Sequence, residues 1–170
     1  MSLKNLSVSS KTRKFLFKKL NDRRILKIYN NFESSLNLNK NFIVAVSGGP
    51  DSLALAFFSK IYSIKKSLKV KYFIVDHKLR NNSSTEALFV KDLLKNFSID
   101  LNILKWIGKK PSSNIQSLAR QKRYKLLIEQ TKNLKINNIL LGHHINDVFE
   151  NFFIRFLRGS GLKGMGSFDK

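Results

Sequence analysis

A chain of 170 residues with 42% apolar residues is long enough to bury one core and requires no second one. The lack of cysteine excludes disulfides, a cysteine-ligated metal, an iron–sulfur cluster and a persulfide carried on this chain. A formal net charge of +21 fits contact with nucleic-acid phosphates and equally fits a broad bias toward lysine and asparagine, so it carries weight only where motifs agree with it. No run approaches the ~18 uninterrupted apolar residues of a membrane span. The basic first residues lack the apolar region of a secretory signal, and Asp22 interrupts a transit-peptide pattern, so the expectation is a cytoplasmic protein with no membrane partner.

Residues 1–40 are polar and basic, with Phe15, Leu16, Leu20, Ile25, Ile28 and Tyr29 at helical spacing. They predict one or two amphipathic helices beside a nucleotide-binding domain over 41–170. Phe42–Val46 reads as a buried strand that breaks at once into Ser47-Gly48-Gly49-Pro50-Asp51-Ser52, with a helix expected over 52–60. Small residues let backbone N–H groups approach an anion there, and the positive end of the helix faces the same spot, so the loop reads as a phosphate cradle. It is not a Walker A loop, because no Gly-Lys-Ser/Thr follows.

A second strand is expected over Val70–Val75, opening into Asp76-His77-Lys78-Leu79-Arg80. Ser83 then reads as the N-cap of a capping box with Glu86 at N3, on a helix to about Phe97. Ile99–Trp106 reads as a third strand and 113–131 as a helix. Arg120 and Arg123 share one face of that helix, with Leu118, Tyr124, Leu126 and Leu127 toward the core. Ile139–Leu141 is a short fourth strand ending at Gly142-His143-His144, followed by a helix to about Leu157 that carries Asp147 and Glu150 on one side. This alternation predicts an α/β fold with a parallel sheet of four or more strands, flanking helices, and ligand sites at the carboxyl ends of the strands. Gly159-Ser160-Gly161-Leu162-Lys163-Gly164 spells the dinucleotide fingerprint but follows a helix rather than a strand. It reads as a loop able to reach phosphate.

Ser-Gly-Gly-x-Asp-Ser resembles the loop of the PP-loop ATP-pyrophosphatases, which have an adenine nucleotide alpha hydrolase-like fold. Four further blocks, in order, resemble the tRNA(Ile)-lysidine synthase branch of that family. They are Asp76-His77-x-Leu79-Arg80 with Ser83 and Glu86-Ala87, then Asn114 with Ala119-Arg120 and Arg123-Tyr124, then Gly142-His143-His144 with Asp147 and Glu150, and finally Arg158-Gly159-Ser160-Gly161-Leu162. The resemblance spans about 42–166. It departs from the family at Asn146, Val148 and Asn151, where one negative charge is lost.

The resemblance implies ATP, with Mg²⁺ on its phosphates, as the energy source. The partners it implies are L-lysine and an isoleucine tRNA with a CAU anticodon, and it leaves room for a homodimer. It places ATP on Ser47, Gly48, Gly49, Pro50, Asp51, Ser52, Asp76 and His77. It places catalysis on Asp51, Arg120, Arg123, His143 and Asp147, and lysine on Asp147 and Glu150. Arg158, Gly159, Ser160 and Gly161 become a phosphate or substrate loop. Two histidines in series with no further ligand motif give no zinc site, so metal ligands stay unassigned. The chain reads as the N-terminal catalytic portion, with the family's C-terminal tRNA-binding domains missing. A PP-loop tRNA thiolase is the enzymatic alternative, and the missing cysteines weigh against it. A nucleotide- or RNA-binding module without turnover is the other.

Overall fold

The computed structural model describes residues 9–80, 82–108 and 114–142. Strands β1 (Phe42–Val46), β2 (Val70–Asp76), β3 (Leu101–Lys105) and β4 (Asn138–Leu141) form one sheet in the order β3-β2-β1-β4, and every neighbouring pair is parallel. Between them run α3 (Pro50–Lys65), α4 (Ser83–Lys95) and α5 (Ile115–Leu134). The chain steps outward from β1 to β2 to β3 and then returns to the far side of β1. Right-handed crossovers therefore place α3 and α4 on one face and α5 on the other.

The strands show why both faces are covered. Phe42, Val44, Val46, Tyr72, Ile74 and Leu101 join Ala56, Val90 and Leu94 in one cluster, whereas the intervening Ile43, Ala45 and Phe73 pack with Leu127 and Ile136 in another. This is the period-two alternation of a pleated strand, filled with apolar residues on both sides. All five residues of β1 are buried, as its uninterrupted apolar run requires.

Helices α1 (Ser10–Lys19) and α2 (Arg23–Ser35) precede the sheet. The Ser9 hydroxyl accepts from Thr12 N–H, and Asp22 Oδ1 accepts from the N–H groups of Arg24 and Ile25, capping both helices. Of the apolar residues expected to face inward, Leu16, Leu20 and Tyr29 pack on Phe58 and Ile61 of α3. Phe15 and Ile28 are exposed instead. A hydrogen bond of 3.2 Å between the Thr12 and Ser98 hydroxyls pins α1 to the turn after α4.

Two local readings need correction. Helix α3 starts at Pro50, not at residue 52, because proline's fixed φ suits the first helical position and its missing N–H costs nothing there. Ser83 is not an N-cap; that position belongs to Asn82, whose side chain makes no capping bond. The Ser83 hydroxyl donates instead to Asp76 Oδ1 at 2.7 Å, since a carboxylate is a stronger acceptor partner than a capping geometry offers.

Candidate active site

The loop after β1 is organised from inside by Ser52, which is 2% exposed. Its Oγ accepts from the N–H groups of Ser47 and Gly48 and from the Ser47 hydroxyl, all at 3.1 Å, and donates to the Gly49 carbonyl at 2.9 Å. The amides of Ser47 and Gly48 are thus turned inward, leaving an anion the Gly49 amide and the positive end of α3. Gly48 has φ +90, and a Cβ there would lie 3.1 Å from Val90 Cγ2, so the loop needs glycine for its backbone and for its fit against α4. Gly142, just past β4, is as tightly placed. A Cβ on it would come 3.0 Å from Ser52 Cα and 3.2 Å from Ser52 N. Asp51 stands in the first turn of α3, where a carboxylate is favoured by the helix dipole.

A cleft of about 820 Å³ opens beside this loop, between the carboxyl ends of β1 and β2 and the start of α4. Ser47, Gly48, Asp76, His77, Arg80 and Glu86 contribute its polar lining, with Leu53, Ile74, Val90 and Phe89 on its apolar side. An apolar wall facing a few convergent polar groups is the form of a small-molecule site.

Asp76 is buried, and its carboxylate is fully engaged. Oδ1 accepts from Lys78 N–H at 2.9 Å and from the Ser83 hydroxyl, and Oδ2 accepts from the Ser84 hydroxyl at 2.6 Å. Burial alone would raise its pKa, but hydrogen bonds from Ser84, Ser83 and Lys78, together with the Lys78 charge, outweigh burial and hold it below the ordinary carboxylate value. Asp76 therefore joins the β2 loop to the start of α4 and fixes one wall of the cleft.

His77 packs edge-on against Trp106, with ring centroids 6.3 Å apart. Burial, reinforced by the Arg123 guanidinium and opposed by Asp76, lowers its pKa, so the neutral imidazole is favoured. His77 Nδ1 and Arg123 Nε are both buried with no hydrogen-bond partner among the described residues. Two donor or acceptor atoms held dry beside a polar cleft mark a place where a ligand can complete the bonding. Arg120 and Arg123 both lie over the ring of Tyr124, at 5.7 and 5.6 Å, and both are partly buried rather than solvated.

The structure thus brings Ser47, Gly48, Asp76 and His77 to one cleft and Arg123 to its histidine. Pro50, Asp51 and Ser52 open the adjoining helix. His143, Asp147, Glu150, Arg158, Gly159, Ser160 and Gly161, with the helix expected after His144, lie outside the described residues. Sequence reasoning missed the roles of Ser84, Trp106, Val90 and Gly142. The Gly before the paired histidines was the one signal available, since a glycine ending a strand often marks close backbone approach. Among the described residues no three His, Cys, Asp or Glu side chains gather as a metal site, and no helix is long and apolar enough to cross a membrane.

A glycine-turned loop between a buried parallel strand and a helix, with a cleft beside it at the carboxyl ends of the strands, defines a nucleotide-binding α/β domain. A family model described as a PP-loop domain matches residues 18–170, and the chain belongs to that family. Its relatives include proteins named tRNA(Ile)-lysidine synthase. That of Orientia tsutsugamushi is 41% identical over 76% of this chain and 29% of its own length, and that of Rhodopseudomonas palustris 37% identical over 74% and 37%. That of Wolbachia pipientis wMel is 39% identical over 80% and 32%. The chain spans about a third of the length of these curated relatives. Among solved structures, the U34-tRNA thiolase NcsA of Methanococcus maripaludis, described with its [4Fe-4S] cluster, superposes with a TM-score of 0.69. The match has 18% identity and covers 84% of this chain and 53% of that one, a likeness of fold alone.

Proposed function

We propose that the chain is the ATP-using part of a ligase that joins L-lysine to the wobble cytidine of an isoleucine tRNA with a CAU anticodon, in the cytoplasm. The observation that carries this is the 34–41% identity, across the loop and cleft, to proteins named tRNA(Ile)-lysidine synthase. In this reading the cytidine C2 oxygen attacks the α-phosphorus of ATP and pyrophosphate leaves. An amine of lysine then adds at C2, and AMP departs with that oxygen while the amine gives up a proton.

The residues suit that division of labour. Ser47–Ser52 and the N-terminal end of α3 hold the pyrophosphate portion, and Mg²⁺ carried on the ATP phosphates would shield their charge. His77, kept neutral, offers a hydrogen bond rather than a charge at the cleft wall. Arg120 and Arg123 stabilise negative charge developing on the phosphates. Asp147 and Glu150 attract the cationic amino acid, His143 and the loop of Arg158, Gly159, Ser160 and Gly161 face phosphate, and residues 41–170 act as the catalytic unit behind the N-terminal helices. The thiolase alternative lacks support on this chain, which has no cysteine.

The test is AMP release from ATP with tRNA and with or without L-lysine, first with the 170-residue chain and then with a chain extended by the remainder of a relative. Lysine-dependent AMP formation and lysine incorporated into tRNA are expected. AMP release indifferent to lysine in the extended chain would overturn the reading.

A further inference from the structure

We infer that the outer faces of α1 and α2 form a docking surface for the phosphate backbone of a folded RNA stem. The inference rests on the RNA-acting reading above and adds the face that meets the RNA.

On α1, Lys11, Lys14, Phe15 and Lys18 fall on one side, opposite Leu16 and Leu20, which are buried against α3. On α2, Arg23 and Lys27 fall opposite Ile25, Tyr29 and Phe32, which join the same cluster. Lys11, Lys14, Lys18, Arg23 and Lys27 are exposed and have no ion-pair partner among the described residues. The acids on these helices are already committed, Asp22 to capping and to Arg24, and Glu33 to Lys65. Lys19 lies over the ring of Phe15 at 5.6 Å, so a partly exposed aromatic ring, itself 6.2 Å from that of Phe97, stands among the cations.

A lipid surface would also attract such a stripe. An interfacial helix, however, must offer its apolar face to the bilayer, and here that face is already spent on Phe58 and Ile61. What faces outward is charge with the exposed Phe15, Leu26 and Ile28 scattered among it, and the charge suits phosphates. The placement also suits a long polyanion. Helix α3, with 16 residues, is about 24 Å long; its start borders the cleft and its later part carries α1 and α2. An RNA with its reactive base at the cleft can lay a stem along that flank. Most of α1 precedes residue 18, where the family match begins, whereas α2 lies within it, so the α1 part of this surface is what this chain adds to the matched domain.

The experiment measures binding of the 170-residue chain to an isoleucine tRNA transcript across 50 to 200 mM salt. It compares the triple variant Lys11→Gln, Lys14→Gln, Lys18→Gln with the control triple Lys40→Gln, Lys69→Gln, Lys132→Gln. ATP binding serves as the measure of intact folding. The α1 triple is expected to lose about tenfold or more in affinity at 50 mM and to flatten the slope of log K against log salt by roughly 2–3, with ATP binding kept. Equal losses in both triples would mean diffuse charge and overturn the inference, as would an unchanged slope in the α1 triple. Loss of binding to phosphatidylserine vesicles in the α1 triple with tRNA binding unchanged would assign the face to lipid and overturn it too. Lysine-dependent AMP release is scored separately. If AMP release in the extended chain is indifferent to lysine while the α1 triple still loses tRNA, the surface stands and only the ligase reading falls.

Discussion

Replacing Ser52 by alanine removes one buried oxygen atom and disturbs four hydrogen bonds. The N–H groups of Ser47 and Gly48 lose their acceptor, and the Gly49 carbonyl keeps only its bond from Leu53 N–H. Each backbone donor left dry costs about 1–3 kcal/mol, so Ser52→Ala should destabilise the chain by about 2–4 kcal/mol, allowing for partial relaxation of the loop. For a domain of this size, that is a fall of roughly 4–16 °C in melting temperature. In urea it is a midpoint lowered by roughly 1–2 M with the slope unchanged. Ser52→Thr keeps the hydroxyl and adds a methyl group, so comparing the two separates hydrogen bonding from volume. ATP affinity, followed by a fluorescent analogue, should fall further in the alanine variant than in the threonine variant. A loss below about 0.5 kcal/mol in Ser52→Ala would refute the reasoning, since the two amides would then have found other acceptors at no cost.

Gly142→Ala should destabilise by about 1–3 kcal/mol and weaken ATP binding, because the added carbon meets the Ser52 backbone rather than a yielding side chain; an unchanged urea midpoint would count against that packing. Asp51→Ala should reduce ATP-dependent AMP formation far more than it reduces stability, and a well-folded variant with normal turnover would remove Asp51 from the site. Stability should fall on acidification. The lowered pKa of His77 means that the unfolded chain binds protons more readily below its ordinary value of 6.5, so this contribution is present above pH 6.5 and is lost as pH falls through the folded value. Asp76 acts in the same sense below its ordinary 3.8. Denaturation profiles of His77→Gln should be flatter than those of the parent just below pH 6.5. In an extended chain, Asp147→Asn and Glu150→Gln should raise the lysine concentration needed for half-maximal AMP release and leave ATP binding nearly intact; normal lysine dependence in both would end that assignment.

Elements with a single physical cause were legible in the sequence. The apolar run Phe42–Val46 can only be a strand buried on both faces, and the glycines after it can only be a turn, so the loop and its place at a sheet end followed directly. The parallel sense of the four strands followed from alternation with helices of adequate length. Choices between competing partners were not legible. Ser83 satisfies a capping pattern as well as any serine, and only the arrival of Asp76 from a different element redirects its hydroxyl. Arg120 and Arg123 read alike on a helix wheel, yet only Arg123 comes to bear on His77, because that depends on how α5 seats against the sheet. Gly142 reads as a strand end, and its contact with Ser52 exists only through the pairing of β4 with β1.

That pairing gives the chain an order of assembly. During synthesis β1, β2 and β3 emerge in sequence with their connecting helices, and each can pair with its immediate predecessor. The partner for the other edge of β1 is made last among the four, and the register Phe42↔Asn138 pairs residues 96 positions apart in the chain. Until then a nascent chain carries a wholly apolar strand with one open edge, a template for pairing with a neighbouring chain on the same messenger. Gly142 arrives against Ser52 in the same event that closes this edge. The nucleotide loop therefore gains the support of Gly142 at the moment β1 ceases to be an edge strand, and a nascent chain should remain vulnerable to mispairing at β1 until residue 142 has cleared the ribosome exit.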